Sequence, residues 1–265
     1  MIEIPFSKYH GTGNDFVIVD NRALGWKPTP DEVASICHRR FGVGADGLML
    51  LENAEAPYDF RMIYFNSDGK ESSMCGNGGR CIVHFAKSLN VFQGNQTQFV
   101  AIDGGHRASI QAEIIELEMS HSATMQELGN GDYVGNTGSP HYVQWVQQEL
   151  GLDEIQQHGF GIRHLPEYAN EGINVNFVAE KAPNSLWVGT FERGVEAPTL
   201  SCGTGVTAAA LAYVSKNKMK ANQHRISVQV PGGNLEVRWT LKEGAINEIR
   251  LIGSATHVFE GTWKV

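Results

Sequence analysis

Two short cysteine segments carry the residues best suited to chemistry in this chain. The first is Cys75-Gly76-Asn77-Gly78 and the second is Cys202-Gly203-Thr204-Gly205, and each is followed by an apolar run. A cysteine placed before small residues and an apolar run is predicted to lie at a helix N-terminus. There the unpaired backbone N–H groups and the helix dipole favour negative charge. They can therefore lower a thiol pKa from its usual value of about 8.5 and bind a carboxylate.

Paired thiols of this kind are suited to proton transfer at a carbon atom. If an amino acid lies between Cys75 and Cys202, one thiolate can remove the α-proton while the other thiol returns a proton on the opposite face. The carboxylate of the amino acid would then be held by backbone N–H groups of Gly76, Asn77, Gly203 and Thr204. This chemistry requires neither a metal nor an organic cofactor. It requires one thiolate and one thiol, so the two titrations should be coupled.

Three other interpretations of the cysteines are open. A cysteine before a glycine loop is often a buried small hydrophobic residue, although its duplication here argues against that. A zinc site is disfavoured because the chain has no Cys-x-x-Cys or His-x-x-x-His spacing, and Cys75 and Cys81 at one helix start would not both face a metal. A nucleophilic cysteine with His141 as its base would leave the second cysteine without a function.

Similar elements are predicted around both cysteines. A buried strand precedes each segment, at residues 60–65 and 186–191, and these strands lead to Asn66 and to Glu192-Arg193. A hairpin follows each segment, with its turn at a glycine pair. From Cys75 to Cys202 is 127 residues, and from the first glycine pair to the second, Gly104-Gly105 to Gly232-Gly233, is 128. Two markers that agree within one residue indicate an internal repeat.

The repeat predicts an α/β (α+β) fold of two similar domains related by a pseudo-twofold axis, each a curved mixed sheet around a central helix. The predicted N-terminal domain comprises residues 1–117 plus 256–265 and carries Cys75. The predicted C-terminal domain comprises residues 118–255 and carries Cys202. Such symmetry would turn both cysteine segments towards one cleft.

The first forty residues predict a further ligand contact and a helix. Apolar residues on both sides of Gly11-Thr12-Gly13-Asn14 predict two strands joined by a glycine turn that a ligand can approach closely. Asn14 is therefore a candidate ligand contact, although a plain hairpin turn explains the same residues. Thr29-Pro30-Asp31-Glu32 is a capping box with proline at the first helical position. It predicts a helix over residues 30–40, with Cys37 in the core.

The composition is that of an ordinary globular protein. Of the 265 residues 42% are hydrophobic, enough for a full core in one large or two ordinary domains. A net charge of −8 without any run of Lys and Arg argues against a nucleic-acid partner and favours a small-molecule substrate. The chain shows no signal peptide and no apolar stretch of roughly 18 residues, so a cytoplasmic location without a membrane partner is expected. Four cysteines are too few for a disulfide framework.

Several motifs follow one another in a specific order along the chain. They are His10-Gly-Thr-Gly-Asn14-Asp15-Phe16, Gly44-Ala45-Asp46-Gly47, Phe65-Asn66-Ser67-Asp68-Gly69, Met74-Cys75-Gly-Asn-Gly, Pro140-His141, Asn174-Val175-Asn176-Phe177, Glu192-Arg193-Gly194 and Cys202-Gly-Thr-Gly. Each motif alone is weak evidence. In this order, nearly from end to end, the chain resembles the diaminopimelate epimerases, cofactor-independent racemases of the lysine and peptidoglycan precursor pathway.

The resemblance implies a cytoplasmic homodimer that interconverts LL- and meso-2,6-diaminopimelate, with Cys75 and Cys202 as its acid/base pair. In the pattern of the family the residues that bind substrate are Asn14, Asn66, Asn174, Glu192 and Arg193, and the residues that tune the thiols are His141 and Glu192. The residue types suit these roles. An arginine binds a second carboxylate bidentately, a glutamate binds a second ammonium, and asparagines orient both without adding charge.

Two alternatives remain open on the sequence. A related two-cysteine racemase for proline or hydroxyproline would have the same paired segments. Residues suited to a second amino-acid head, Asn174, Glu192 and Arg193, argue against it. The other alternative is a non-catalytic binding protein on the same scaffold, for which the motive is Pro198 in the loop before the second cysteine.

Overall fold

A computed structural model describes residues 2–119, 124–219, 224–242 and 245–265. The chain forms two compact units, of which unit 1 comprises Met1–Leu117 with Gly253–Val265 and unit 2 comprises Glu118–Ile252. In the described residues each unit is a mixed sheet with helices, so the predicted mixed class of fold is confirmed. No helix in the described ranges is long and apolar enough to cross a membrane.

Apart from one strand at the start of unit 2 and one at the end of unit 1, the described helices and strands follow one another in the same order in both units. The first set is β1 (Glu3–Gly11), β2 (Asn14–Asp20), α1 (Pro30–Cys37), β3 (Gly47–Glu52), β4 (Phe60–Asn66), β5 (Glu71–Ser72), α2 (Gly76–Ser88), β6 (Gln96–Ala101), β7 (Gly104–Gln111) and β8 (Ile114–Glu118). The second set is β9 (Gln126–Glu127), β10 (Tyr133–Asn136), β11 (Pro140–Trp145), α3 (Leu152–Arg163), β12 (Asn174–Ala182), β13 (Ser185–Glu192), β14 (Ala197–Thr199), α4 (Gly203–Lys216), β15 (His224–Val230), β16 (Gly233–Lys242) and β17 (Ala245–Ser254). The last strand, β18 (Thr256–Lys264), belongs to unit 1.

Strand pairing repeats as well as strand order. In unit 1 the order is β18-β1-β2-β3-β4-β6-β7-β8, with β5 paired to the end of β4. In unit 2 the order is β9-β10-β11-β12-β13-β15-β16-β17, with β14 paired to the end of β13. The parallel pairs are β2–β3 and β4–β6 in one unit and β11–β12 and β13–β15 in the other. The internal repeat predicted from the two markers therefore extends to the hydrogen-bonded ladders.

Each sheet is covered by one helix on either face, which decides where alternate side chains point. In unit 1, Val17 and Val19 pack in a core cluster with residues of α1. Phe16 and Met49 point the other way, within 3.5 and 3.2 Å of where a Cβ on Gly78 of α2 would lie. The helix that begins at Cys75 therefore covers the second face.

Unit 2 repeats this arrangement. Val175 and Phe177 of β12 pack with Ile155 of α3, so Asn174 and Asn176 lie on the opposite face, which α4 covers. Both asparagines are buried. In both units the polar strand residues on this second face lie beside the helix that begins at a cysteine.

One local expectation differs from the structure. The helix predicted over residues 30–40 has the predicted capping box but ends at Cys37. His38 is extended, and its Nδ1 accepts hydrogen bonds from the backbone N–H groups of Arg40 and Phe41, which would otherwise continue the helix. The loop that contains Pro198 includes the short strand β14, in which Pro198 is paired with Phe191.

Two glycines of α3 can be used to test how tightly this helix packs on the sheet. A Cβ added at Gly159 would meet the ring of Phe191, with Cγ only 2.6 Å away, whereas a Cβ at Gly161 would meet nothing within 4 Å. We expect Gly159→Ala to lower the free energy of unfolding by about 1–3 kcal/mol through overpacking. Gly161→Ala should raise it by up to about 1 kcal/mol through helix propensity.

Urea denaturation followed by circular dichroism measures both changes, because the two substitutions add the same methyl group to the same helix. Equal denaturation midpoints for the two variants would contradict the packing described for Gly159.

Candidate active site

Both predicted helix starts are confirmed. Cys75 is the N-cap of α2 and Cys202 is the N-cap of α4, each with an extended backbone and neither with a side-chain capping bond. The first intrahelical bonds run from Gly79 N to Cys75 O at 2.7 Å and from Val206 N to Cys202 O at 2.9 Å. The N–H groups that precede these bonds, at the positive end of each helix, include those of Gly76, Asn77, Gly203 and Thr204.

The other two cysteines are not available for acid/base chemistry. Cys37 and Cys81 are buried, and burial raises the pKa of each thiol to about 12. Both therefore stay protonated at neutral pH, as expected for core thiols. Within the described residues, no three His, Cys, Asp or Glu side chains are grouped as a metal ion would need.

Asn14 links the first cysteine to the sheet. Its Oδ1 accepts a hydrogen bond from the Cys75 thiol at 3.6 Å and from Asn77 Nδ2 at 3.3 Å. Its Nδ2 donates to Asp46 Oδ2 at 2.7 Å. Because a carboxylate can only accept, Asp46 orients the amide with its oxygen towards the thiol.

A cluster of four charged residues holds Asp46 in place. Arg39 bridges Asp46 and Asp15, with its NH2 group 2.8 Å from Asp15 Oδ1, and Lys8 Nζ lies 2.6 Å from Asp15 Oδ2. Burial acts to raise the pKa of Asp15, but the hydrogen bonds and charges of Arg39 and Lys8 outweigh it and hold that pKa at about 2. The two carboxylates and two cations cancel formally. This cluster was not predicted from the sequence, although Asp15 and Asp46 both lie in the recognised motifs.

The second cysteine is linked to His141 through Thr204. Thr204 Oγ1 lies 3.4 Å from Cys202 Sγ and 2.9 Å from His141 Nε2, and Ser139 Oγ also lies 2.9 Å from that nitrogen. His141 therefore lies near the start of α4, but a hydroxyl group stands between it and the sulfur in this chain of hydrogen bonds.

Asn176 decides which nitrogen of His141 carries the proton. Its Nδ2 donates to the backbone carbonyl of Tyr142 at 3.0 Å, and its Oδ1 accepts from Thr190 Oγ1 at 3.0 Å. The same Nδ2 lies 3.0 Å from His141 Nδ1, which must then be the acceptor. The proton lies on Nε2 and points to the hydroxyls of Thr204 and Ser139. Asn176 lies in the motif Asn174-Val175-Asn176-Phe177, but the sequence alone predicted no role for it.

His141 is neutral over the physiological pH range. Burial, followed by the positive charge of Arg193, lowers the pKa of His141 to about 3. The nitrogen that faces Thr204 already bears its proton, so it cannot accept another from the Cys202 side. This argues against the alternative in which His141 is the base of a nucleophilic cysteine.

The remaining predicted residues lie near the ends of β4, β12 and β13. Asn174 Nδ2 donates to Ser139 Oγ and to the carbonyl of Pro140, and its Oδ1 accepts from the backbone N–H of Arg193 at 2.9 Å. The Arg193 guanidinium donates to the carbonyl of Glu171 at 3.0 Å and forms no ion pair with a carboxylate in the described residues. Glu192 is partly buried at the end of β13.

Asn66, at the end of β4, is exposed, and its side chain makes no hydrogen bond within the described ranges. In this structure the Asn174 side chain therefore makes its hydrogen bonds within the protein, whereas the Asn66 side chain and the Arg193 guanidinium retain hydrogen-bonding capacity for a ligand.

The solved structures that resemble this chain share its fold. A PhzF-family phenazine biosynthesis protein of Bacillus anthracis superposes with a TM-score of 0.81 at 16% identity, covering 100% of both chains. A probable proline racemase of Agrobacterium radiobacter superposes with a TM-score of 0.72 at 16% identity, covering 99% of this chain and 93% of the other. At such identities the likeness concerns the fold alone.

Sequence comparison is more specific. The family model of diaminopimelate epimerase matches residues 6–123 and 133–258. The protein named diaminopimelate epimerase in Flavobacterium psychrophilum is 46% identical, over 96% of this chain and 98% of its own length. The one in Chlorobaculum tepidum is 40% identical, over 95% and 98%. Matches of this extent and identity show that the chain belongs to the diaminopimelate epimerase family of isomerases.

Proposed function

We propose that this protein interconverts LL- and meso-2,6-diaminopimelate by proton transfer between Cα and the thiols of Cys75 and Cys202, in the biosynthesis of lysine and peptidoglycan precursors. The observation that carries the proposal is the placement of both cysteines. Each is the uncapped N-cap residue of the equivalent helix in two units of identical strand order. Relatives that bear the name of this activity, at up to 46% identity, support it.

The two cysteines are sufficient to balance the protons of this reaction, and no atom is oxidised or reduced. One cysteine, as thiolate, takes the α-proton and becomes a thiol. The other, as thiol, gives its proton to the opposite face of Cα and becomes a thiolate. Negative charge that develops on the substrate carboxylate is stabilised by the N–H groups at the starts of α2 and α4, an effect worth several kcal/mol in comparable sites.

A neighbouring side chain can hydrogen-bond to each sulfur in one of its two states. Asn14 Oδ1 can only accept, so it pairs with Cys75 whenever that sulfur is protonated. The Nε2–H of neutral His141 occupies an acceptor site on the Thr204 or Ser139 hydroxyl, so the Thr204 O–H can donate to Cys202 whenever that sulfur has given up its proton. Glu192 is proposed to tune the thiols as well, on the resemblance to the family.

The distal amino-acid head of the substrate is assigned to Asn66, Asn174, Glu192 and Arg193. Arg193 is proposed to bind the distal carboxylate bidentately, since its guanidinium has only a backbone carbonyl as a partner among the described residues. Glu192 would accept from the distal ammonium, and the amides of Asn66 and Asn174 would orient the two groups. Asn174 must exchange one of its present bonds to take part.

We also propose a homodimer in the cytoplasm. In the described chain β18 is paired with β1 alone, and its side chains include the exposed Val258 and Phe259. An edge strand with exposed apolar residues is a suitable surface for a second copy. Sedimentation equilibrium measures the mass that decides this point.

Isotope exchange tests the two-thiol mechanism. In heavy water the first product molecules should carry deuterium at the inverted carbon while recovered substrate keeps its hydrogen, in both reaction directions. This is expected because the proton that is delivered comes from a thiol already equilibrated with solvent. Cys75→Ala and Cys202→Ala should each lower epimerisation by at least about 10²-fold, the lower range for general acid/base catalysis.

Proline assayed in parallel should not be racemised. Equal early labelling of substrate and product, or full epimerisation by Cys202→Ala, would show that a single base operates. Racemisation of proline but not of diaminopimelate would replace the proposed substrate while keeping the mechanism.

Arg193→Ala tests the distal site. Loss of a bidentate guanidinium contact should cost about 2–5 kcal/mol, seen as a large fall in kcat/KM for diaminopimelate. Arg163→Ala is the control, because Arg163 is paired with Glu196 and has no proposed substrate contact. Unchanged affinity and turnover in the Arg193 variant, measured by steady-state kinetics, would remove this residue from the site.

Asn176→Leu tests the tautomer of His141. Without the donor at Nδ1 the Nε2–H form loses its preference, so kcat should fall by about 10- to 100-fold, the range found for hydrogen-bond partners that orient metal-bound histidines. KM should change less than about 3-fold, whereas Asn174→Ala on the same strand should mainly raise KM.

The ¹⁵N chemical shifts of the imidazole report the tautomer directly and separate this role from a loss of folding. Wild-type kcat in Asn176→Leu, with the ring still protonated at Nε2, would contradict the assignment.

A further inference from the structure

The helix that begins at Cys75 contains a fully buried arginine. Arg80 is the fifth residue of α2, and its side chain is 0% exposed. Its guanidinium donates to four uncharged oxygens, those of Gly76 O at 3.2 Å, Asn77 Oδ1 at 3.0 Å, Thr12 Oγ1 at 3.3 Å and Ser254 O at 3.3 Å. No carboxylate forms an ion pair with it within the described ranges. A buried cation without a fixed counter-ion is rare in folded proteins.

Arg80 adds a buried positive charge near the start of α2, which makes a negative charge there more favourable. The positive end of the α2 dipole lies in the same turn, and that turn contains no acidic residue. Burial lowers the pKa of Arg80, while charge on Cys81 and Cys75 acts to raise it again. Because burial keeps Cys81 protonated, with a pKa of about 12, Cys75 is the neighbouring thiol that can supply the charge.

The equivalent position in unit 2 carries no charge. Thr207, the fifth residue of α4, is fully buried, and its Oγ1 donates to the carbonyl of Gly203 at 2.9 Å. Arg80 donates to the corresponding carbonyl, that of Gly76. Both side chains therefore make the same local hydrogen bond, but only Arg80 adds a cation. The electrostatic environments of Cys75 and Cys202 therefore differ.

Other ionisable groups near each cysteine do not reverse the difference. Around Cys75, the cluster of Lys8, Asp15, Arg39 and Asp46 cancels formally. Asp103, which accepts from Met74 N and is hydrogen-bonded to His106, and the amide oxygen of Asn14 both oppose a thiolate at Cys75. However, the Asp103 side chain is 24% exposed and open to solvent screening, and the amide oxygen carries no net charge, whereas Arg80 is a fully buried cation.

Around Cys202, His141 is neutral. The charge of Arg193, which lies in an exposed segment and beside Glu192, is open to solvent screening.

We propose that Arg80 makes Cys75 the thiolate of the substrate-free protein, with Cys202 as the thiol. The proposal deepens the proposed function and rests on it for its catalytic meaning, because it assigns the base that acts first. The stereoisomer whose α-hydrogen faces Cys75 then finds a competent enzyme directly. The other isomer requires that a proton first move, through solvent, from Cys202 to Cys75.

The experiment measures the pH dependence of each thiol without substrate. Full-length Cys202→Ser and Cys75→Ser proteins are alkylated with iodoacetamide from pH 5 to 10, and modification is assigned by peptide mapping. The midpoint of the profile is used because it reports thiolate formation independently of how exposed each sulfur is. We expect Cys75 to react with a midpoint about 1–3 pH units below that of Cys202, the range produced by a nearby opposite charge.

Substitutions of Arg80 identify the source of this difference. In the Cys202→Ser background, Arg80→Thr copies the residue of α4 and should raise the Cys75 midpoint by about 1–3 pH units. Arg80→Lys should keep most of the low midpoint because it keeps the charge. Lys87→Gln removes a cation from the far end of the same helix and should leave the midpoint within about 0.3 units.

The outcomes separate this inference from the proposed function. A Cys75 midpoint equal to or above that of Cys202 would overturn the inference even if Arg80→Thr does not fold, since that comparison leaves Arg80 unchanged. An unaltered midpoint in folded Arg80→Thr would equally overturn it. Epimerisation of diaminopimelate is assayed separately on the unsubstituted protein, so loss of the proposed substrate would leave the thiol midpoints to be judged alone.

Discussion

A helix that begins without a side-chain cap leaves several backbone N–H donors at its positive end, and this constraint governs both halves of the protein. In α2 and α4 the N-cap residue is a cysteine that makes no capping bond. Small residues follow it, so backbone and sulfur are presented together. In each unit, alternate side chains of the neighbouring strands point towards the start of this helix. Asn14 lies on the sheet face that α2 covers, and His141 and Asn176 lie on the face that α4 covers.

Much of this arrangement was predictable because the signals were local. A cysteine before glycine and an apolar run predicts a helix start, and the capping box at Thr29 predicted where α1 begins. Helix α3 was not predicted, because two glycines and few apolar residues weaken its pattern, yet it occupies the place of α1 in the repeat. Contacts between distant segments could not be predicted. The bond from Asn176 to His141 and the bridge from Arg39 to Asp15 form only when separate strands and loops meet.

Repetition of the backbone has not kept the two cysteine environments alike. In unit 1 the thiol faces an amide oxygen, behind which lie four paired charges. In unit 2 the thiol faces a hydroxyl, behind which lie a neutral imidazole and another amide. Strand order and pairing are insensitive to this exchange because the side chains concerned lie at strand ends. Chemistry at the helix starts can therefore diverge while the core that supports them stays the same.

The position of β18 has a consequence for synthesis on the ribosome. Strand β1, which precedes the rest of unit 1 and all of unit 2 along the chain, pairs with β2 on one side and with β18 on the other. Unit 2 lies between them in the chain and can assemble its own ladders as soon as it emerges. Unit 1 cannot complete its sheet until residues 256–264 have left the exit tunnel. During translation the outer edge of β1 remains open, and an open edge of this kind is a surface that chaperones can shield from aggregation.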